Sequence, residues 1–197
     1  MSSGARPAVE LACALPAGYS LRPMRESDLH ELHARIERNR DELGKWLRWA
    51  QKPSIESTRG HLLRGLSAER DGHGLRRAIV IDRAIVGDVG LDVDRDNNAG
   101  GIGYWLDRDH RGRGLVGAAV GALVRHGFTS LTLRRIEIRT DVENRSSRAV
   151  AERLGFQLEG VLRQSYRVSE QHYSDDAVYS MLVSDPARQV LERASVA

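Results

Sequence analysis

A glycine-rich loop with two arginines, at residues 111–117, is the part of this sequence best suited to bind a phosphate group. Gly112 and Gly114 let the backbone turn freely and approach a ligand closely. The apolar residues that follow are typical of a helix, and a helix that begins here presents unpaired N–H groups and a partial positive charge to an anion. Arg111 and Arg113 add full positive charges beside those donors. The loop therefore predicts a phosphate-binding site.

The spacing Gly112-x-Gly114-x-x-Gly117 also satisfies the dinucleotide-binding fingerprint, but its surroundings do not. That fingerprint needs an apolar strand that runs directly into the first glycine, whereas the polar run 107–111 lies between them here. No Gly-Lys-Ser/Thr follows, as a nucleotide P-loop requires. A glycine-rich turn ahead of an ordinary core helix remains an alternative.

A second segment, residues 141–156, has residue types that suit chemistry at the start of a helix. A strand ends near Val142, and Asn144 can cap the helix that follows. Ser147 lies one turn inside, where its hydroxyl can point into a cleft. Gly155 is placed to end the helix in the left-handed conformation. Taken alone, a capped helix with a serine of no special role is the simpler interpretation.

The pattern of apolar residues predicts an α+β chain with one β-α-β crossover at its centre. Leu29 to Ile36, the glycine-loop helix and three further segments read as helices: Ser54–Arg70, Ser146–Leu154 and Asp185–Ala194. Seven segments read as strands: Tyr19–Pro23, Leu75–Ile81, Ala84–Val93, Gly101–Leu106, Arg135–Val142, Phe156–Leu162 and Ala177–Val183. Gly117 and Gly121 share one face of the central helix, which predicts close packing against a strand or a ligand.

The composition favours a globular protein with a sizeable core, since 41% of the 197 residues are hydrophobic and 29% are charged. The net charge is +3, and 27 acidic residues are interleaved with 30 basic ones. We therefore expect no direct nucleic-acid partner. No apolar run is long enough for a membrane span. Cys13 is the one cysteine, and residues 1–18 lack the pattern of a signal peptide, so a cytoplasmic location is expected.

Several separated motifs together resemble the GNAT acetyltransferase family. Arg111-Gly112-Arg113-Gly114 is followed about thirty residues later by Asn144-x-x-Ser147 and then by Leu154-Gly155-Phe156. The segments 39–49, 103–106 and 158–163 are similar to the RimJ/RimL branch, whose members acetylate the N-terminal amines of ribosomal proteins. The resemblance covers roughly residues 19–184, which leaves residues 1–18 as an N-terminal extension and 185–197 as a C-terminal helix and tail.

The resemblance implies the GNAT fold, a mixed and mostly antiparallel sheet that is split in a V and flanked by helices. The V would open between the strand that ends at Leu106 and the strand that ends at Val142. Acetyl-CoA would lie there as co-substrate, with its pyrophosphate on the loop amides and no metal. The implied phosphate contacts are Arg111, Gly112, Arg113, Gly114, Leu115 and Val116. Val116 departs from the family pattern, which has Gly or Ala at that position, and Gly117 is placed to compensate.

The resemblance also implies roles for residues around the thioester. Ser147 would protonate the departing CoA thiolate, and Asn144 would hold the cofactor arm or a water molecule. Backbone donors near Leu106 would stabilise the oxyanion. The general base stays open among Glu137, Glu159, Tyr166 and water. Trp46, Trp49 and Tyr166 are the predicted acceptor contacts; packing anchors are the alternative for the two tryptophans.

Three functions stay open at this point. The first is an N-terminal protein acetyltransferase, the second a GNAT enzyme for a small amine such as an antibiotic or a polyamine, and the third a CoA-binding module without turnover. Ser147 argues against the third. The first two share every cofactor residue, so the motifs do not separate them, although an open groove would favour a peptide and a closed aromatic pocket a small amine. A homodimer is also left open.

Overall fold

The computed structural model describes residues 11, 13–170 and 172–193. In this part of the chain seven strands form one sheet in the order β1-β2-β3-β4-β5-β7-β6. The strands are β1 Tyr19–Pro23, β2 Gly74–Ile81, β3 Ala84–Asp94, β4 Ala99–Leu106, β5 Arg135–Asp141, β6 Gln157–Arg167 and β7 Tyr173–Leu182. β4 and β5 are parallel, and every other neighbouring pair is antiparallel. The predicted α+β class with a mixed, mostly antiparallel sheet is confirmed.

Helices flank the sheet on two sides, each over its own hydrophobic cluster. The helices are α1 Leu29–Arg38, α2 Arg40–Leu43, α3 Ile55–Asp71, α4 Leu115–Thr129, α5 Arg145–Arg153 and α6 Pro186–Arg193. Apolar residues of α1 and α3 pack with β2, β3 and Trp105. Those of α4 and α5 pack on the opposite face, which includes Tyr104 and Leu106 of β4. None of the described helices combines the length and the apolar composition that a membrane crossing needs.

The sheet is split at its only parallel pair among the described strands. β4 and β5 pair over four positions, from Ala99 with Arg135 to Ile102 with Ile138. β4 then continues to Leu106 and β5 to Asp141 without pairing to each other. This is the V that the family resemblance implies, and it opens at the carboxyl ends of both strands.

Most predicted elements agree with the structure to within one or two residues, but β6 and β7 are longer than predicted. β6 runs to Arg167 rather than Leu162, and β7 begins at Tyr173 rather than Ala177. Nearly all of β6 is exposed at the sheet edge, so its letters lack the apolar alternation of a half-buried strand. The added length brings the β6–β7 hairpin beside the open end of the V.

The close helix–sheet contact of α4 lies at Gly127 rather than at the predicted glycine pair. A Cβ at Gly127 would lie 2.8 Å from Cδ1 of Ile136, so the Ile136 side chain would have to shift to admit one. At Gly121 it would meet only Leu191, Leu154 and Arg125, at ordinary distances of 3.7–3.9 Å. At Gly117 it would meet no atom within 4 Å. The side of α4 that carries Gly117 therefore faces open space.

Both flanking segments contact the main hydrophobic cluster where the structure describes them. Leu11 and Leu15 of the predicted extension pack against it, as do Ala187 and Leu191 of α6. Residues 1–10 and 12 of the extension, and 194–197 of the tail, lie outside the described residues. The described parts of both segments thus add partly buried apolar residues to this cluster.

Candidate active site

The glycine loop leaves a row of backbone donors without partners. Gly112 and Gly114 have φ values of +76° and +75°, a left-handed conformation that glycine adopts without strain. A Cβ at either position would meet no atom within 4 Å. Among the described residues, the N–H groups of residues 112–117 have no hydrogen-bond partner. Free donors, open space and the N-terminus of a 15-residue helix together form a site for a phosphate anion.

The two arginines of the loop are exposed and each retains unused donors. Nη1 of Arg111 lies 3.5 Å from a carboxylate oxygen of Glu42. Nη1 of Arg113 donates to the hydroxyl of Tyr19 at 3.1 Å, and its Nη2 donates to a backbone carbonyl in the same loop. A guanidinium has five N–H donors, so both side chains keep capacity for a phosphate ligand beside the loop amides.

Val116 occupies the position where the family pattern has glycine or alanine. Its side chain is half-buried and packs against the core cluster on the α4 side of the sheet. Its N–H group is among the free donors of the loop. The Val116 side chain therefore packs against the core. The neighbouring Leu115 is almost completely buried in the same cluster.

Asp107 fixes the connection between β4 and the glycine loop. Its carboxylate is fully buried and accepts from Arg35 of α1 at 2.7 Å and from the N–H of Asp109 at 3.1 Å. Asn39 accepts from the N–H of Arg108 in the same turn. Burial opposes the negative charge, but these hydrogen bonds and the Arg35 charge hold the pKa of Asp107 below its usual value. The phosphate loop is thus anchored to α1.

The N–H of Leu106 points into the V. The N–H of the next residue, Asp107, donates to the carbonyl of Val86 in β3. Successive residues of a strand direct their N–H groups to opposite sides, so that of Leu106 points away from β3. On the side away from β3, the pairing of β4 with β5 extends only to Ile102. A backbone donor is therefore available where an acyl oxygen in the V would gain negative charge.

Ser147 faces Tyr104 across the V. Oγ of Ser147 lies 2.8 Å from the hydroxyl of Tyr104, which also lies 3.3 Å from the carbonyl of Ser147. Burial raises the pKa of Tyr104, and the hydrogen bond to Ser147 only partly opposes that effect. Tyr104 is therefore protonated at neutral pH and has one hydrogen to donate.

Asn144 is engaged as the cap of α5. Its Oδ1 accepts from the N–H of Ser147 at 3.2 Å and from the hydroxyl of Ser146 at 2.9 Å. The predicted cap is observed. The amide nitrogen of Asn144 has no partner among the described residues, so it can donate to a group in the V without loss of the cap.

Two of the candidate bases are held by arginines. Glu159 pairs with Arg135 and accepts from Ser180, and these contacts lower the pKa of Glu159 to about 2. For Glu137 burial opposes the charge, but Arg135 and Arg139 outweigh it and lower the pKa. A carboxylate with a depressed pKa is a weak base at neutral pH. Neither group is set up to take a proton from an amine.

The predicted acceptor contacts occupy two different places. Trp46 is half-buried and lines a cavity at the ends of β5 and β7. The hydroxyl of Tyr166 accepts from the N–H of Arg48 at 3.2 Å, which ties β6 to the same region. Trp49 instead stacks on His61 of α3, with ring centroids 5.8 Å apart and planes at 16°. The structure brings Trp46 and Tyr166 to the open end of the V and leaves Trp49 beside α3.

Sequence reasoning missed Tyr104 and Asp107. Both lie in the segment from β4 to the glycine loop that carries the sequence motifs, but the motifs assign neither residue a role in the site. For Tyr104 a signal existed, because alternation puts it on the same face of β4 as Leu106. For Asp107 the partner Arg35 is 72 residues away in the chain, and no local pattern pairs them. No group of three or more metal-ligating side chains occurs among the residues that the model describes.

Comparison with known proteins identifies the family of the chain. Residues 20–157 match the family model described as the acetyltransferase (GNAT) domain. The chain is 32% identical over 173 residues to YdaF of Bacillus subtilis (strain 168), whose provisional name is ribosomal N-acetyltransferase, covering 86% of this chain and 94% of YdaF. It is 31% identical over 165 residues to the ribosomal-protein-serine acetyltransferase of Escherichia coli (strain K12), covering 83% and 92% respectively.

A solved structure gives the same result. RimL, a ribosomal alpha-N-protein acetyltransferase in complex with coenzyme A, superposes with a TM-score of 0.80 at 29% identity, covering 88% of this chain and 98% of that one. The family match and the shared fold define the class of protein: the chain belongs to the GNAT acetyltransferase family. It is an acyltransferase, as the sequence motifs predicted.

Proposed function

We propose that this enzyme transfers the acetyl group of acetyl-CoA to the N-terminal α-amino group of a protein, of the ribosomal-protein type. The observation that carries the proposal is the V between β4 and β5, with free loop amides at one side and Ser147 at the other. YdaF and the Escherichia coli relative bear names that refer to ribosomal N-acetylation, which supports the protein acceptor.

The loop fits the pyrophosphate of acetyl-CoA. The N–H groups of residues 112–117 are unpaired among the described residues, and a Cβ at Gly112, Gly114 or Gly117 would meet only open space. A phosphate can therefore approach the amides directly. Arg111 and Arg113 retain donors for its outer oxygens. Asn144 has a free amide group for the cofactor arm or for a water molecule.

The chain's own groups assist two steps of acetyl transfer. Acetyl-CoA brings the acetyl group as a thioester, which a neutral amine attacks directly. The N–H of Leu106 donates to the acyl oxygen as that oxygen gains negative charge. As the carbon–sulfur bond breaks, Ser147, hydrogen-bonded to Tyr104, donates its hydroxyl proton to the departing thiolate. The proton that the amine releases to water restores the serine hydroxyl.

Water is the favoured acceptor of the amine's proton. Glu137 and Glu159 are both paired with Arg135, and Tyr166 already accepts from a backbone N–H. An N-terminal α-amine has a pKa of about 7.7–8.0, against about 10.4 for lysine. A large fraction of it is neutral near pH 7.5, so weak assistance from water is sufficient. This supports an N-terminal amine over a lysine side chain.

The acceptor side of the V is open, which favours a peptide over an enclosed small amine. Gly101 and Gly103 of β4 are exposed, and a Cβ at either would meet no atom within 4 Å. Their face of the sheet is the one that carries Trp105, opposite the face of Tyr104 and Leu106. An extended N-terminal segment can therefore reach the V along β4.

An acetyl-CoA turnover screen tests the proposal. N-terminal peptides, an aminoglycoside and spermidine would be incubated with the enzyme and acetyl-CoA, and the products located by mass spectrometry. We expect acetylation at the α-amine of peptides, with peptides preferred in kcat/KM. A small amine preferred over every peptide would replace the proposed acceptor, and turnover of none would contradict the proposal.

A further inference from the structure

A cavity of about 300 Å³ lies at the open end of the V, next to the start of α5. Its walls come from the turn after α2, the end of β5 and the start of β7. The residues that line it are Lys45, Trp46, Asp141, Val142, Glu143, His172, Tyr173, Ser174 and Asp175. Glu143 directly precedes Asn144, so the cavity adjoins the helix start that carries Ser147.

Three carboxylates line the cavity, together with the basic residues Lys45 and His172. Among the described residues, none of Asp141, Glu143 and Asp175 lies within ion-pair distance of a basic side chain. Asp141 accepts from the N–H of Glu143 at 2.7 Å, and Asp175 from a backbone N–H of β6 at 2.8 Å. Lys45 lines the cavity too, but it is paired with Glu42 at 2.6 Å. The cavity therefore favours a positively charged ligand.

A buried hydroxyl in the same wall lacks a partner. Ser174 is only 4% exposed, and its Oγ has no hydrogen-bond partner among the described residues. Buried hydroxyls are normally satisfied, and an exception needs an explanation. A ligand with N–H donors would satisfy it. The rings of Trp46 and Tyr173 complete the walls, and aromatic faces attract ammonium and guanidinium groups.

The cation bound here is not the amine that reacts. Carboxylates around an amine favour its charged form and raise its pKa, whereas attack on the thioester requires the neutral form. The cavity is therefore suited to a second basic group of the acceptor, held while the α-amine lies free of these carboxylates in the V.

We propose that this cavity binds a second cationic group of the acceptor, so that the preferred acceptors carry a positive charge several atoms from the amine that is acetylated. The inference rests on the proposed function and assigns a substrate preference to that same site. The charge comes from a lysine or arginine side chain within the first few residues of a protein, or from the distal amine of a polyamine. Both sources share the same chemistry, and the experiment separates them.

The test uses peptides that start with serine and differ only at the third residue, which is lysine, glutamine or glutamate, with spermidine as a further arm. We expect kcat/KM for the lysine peptide to exceed that for the glutamine peptide by about fivefold at low salt and to exceed that for the glutamate peptide by more. The ratio should shrink as salt is added, because the carboxylates are partly exposed.

A matched pair of variants locates the preference. Glu143→Gln removes a cavity carboxylate that makes no hydrogen bond through its side chain among the described residues. Glu37→Gln removes an exposed carboxylate on α1, far from the cavity lining, that forms no ion pair among the described residues. The lysine-to-glutamine ratio should fall towards one in Glu143→Gln and stay at the wild-type value in Glu37→Gln. Equal kcat/KM for the lysine and glutamine peptides in the wild type would overturn the inference while leaving N-terminal acetylation in place.

An equilibrium binding measurement tests the cation preference of the cavity independently of catalysis. The same peptides, already acetylated at the N-terminus and labelled at the C-terminus, would be titrated with the enzyme and coenzyme A by fluorescence anisotropy. Tighter binding of the lysine peptide supports the cavity even if turnover is absent, and equal binding overturns it. Spermidine preferred over every peptide would support the cation site and contradict the protein acceptor.

Discussion

The hydroxyl of Tyr104 on β4 lies 2.8 Å from Oγ of Ser147 on α5, and the two residues join opposite sides of the V. Because Tyr104 is protonated, it can donate to Ser147 and leave the serine hydrogen free to point at a leaving group. Tyr104 is thus placed to position Ser147. This pair gives two separable predictions, one for each hydroxyl.

Ser147→Ala should reduce kcat by roughly 10²-fold or more, because general acid assistance typically contributes 10²–10⁴-fold. The affinity for acetyl-CoA should change little, because the thiolate is absent from the ground state. Steady-state kinetics on a peptide acceptor with a free N-terminus, taken from the turnover screen, and calorimetry with acetyl-CoA measure the two quantities. A kcat within about twofold of wild type would remove Ser147 from the mechanism.

Tyr104→Phe should lower kcat by about two- to tenfold, the range expected for one neutral hydrogen bond, with KM for acetyl-CoA unchanged. In the Ser147→Ala background the same change should have almost no effect on kcat, because Tyr104 acts through Ser147. Tyr179→Phe is the control, since Tyr179 also bonds to α5 but through Arg148 and Glu152, and should not alter kcat. Additive effects of the Tyr104 and Ser147 changes would contradict the positioning role.

Gly114→Val should abolish acetyl-CoA binding in a folded protein. A branched side chain at φ +75° is strained, and it would fill the open space through which a phosphate reaches the loop amides. Gly121→Ala, inside the helix that follows Gly114, is the control, because a Cβ there makes only ordinary contacts. Circular dichroism confirms the fold and calorimetry measures the affinity. A folded Val variant that binds like the wild type would show that the loop is only structural.

Asp88 should make the protein acid-sensitive. The group is completely buried, which opposes its charge, but Arg76, His61 and Trp105 outweigh burial and lower its pKa from 3.8 to about 2. Since the folded-state pKa lies below the unfolded value, this contribution is complete above about pH 4 and lost as the pH falls to 2, about 2 kcal/mol in all.

Urea unfolding from pH 7 to pH 2 measures the Asp88 contribution. Asp88→Asn should be less stable than the wild type at pH 7, because it leaves Arg76 buried without its charge partner. It should also lose less stability between pH 4 and pH 2. The same acid slope in both proteins would assign the sensitivity to other carboxylates.

The sequence predicted the elements around the V well because local signals mark their ends. Ser54 caps α3, and Gly114 and Gly155 adopt positive φ at the ends of α4 and α5. The long β6 was underestimated because an exposed edge strand has no buried face to impose alternation on its residues. Element type and order were therefore predictable, and the length of the C-terminal hairpin was not.

The cofactor loop was predictable from its residue types, but the hydrogen-bond and ion-pair partners of the polar side chains in the site were not. Tyr104 and Ser147 are 43 residues apart, and Arg135 and Glu159 are 24 apart. Such pairs form because the strand order places their elements side by side. A composition or a spacing does not encode that order. For the same reason the sequence left Glu137 and Glu159 open as candidate bases, although both pair with Arg135.

Beyond Ile102 and Ile138, β4 and β5 carry unpaired backbone groups inside the sheet. On an outer strand such groups are a template for aggregation. A strand from another protein could pair with both β4 and β5 only if it lay about 4.8 Å from each of them. At Ile102 the two strands pair directly with each other, so the V leaves no room there for a third strand. The interior edges are thus open to a slender ligand chain and closed to intermolecular β-pairing along their length.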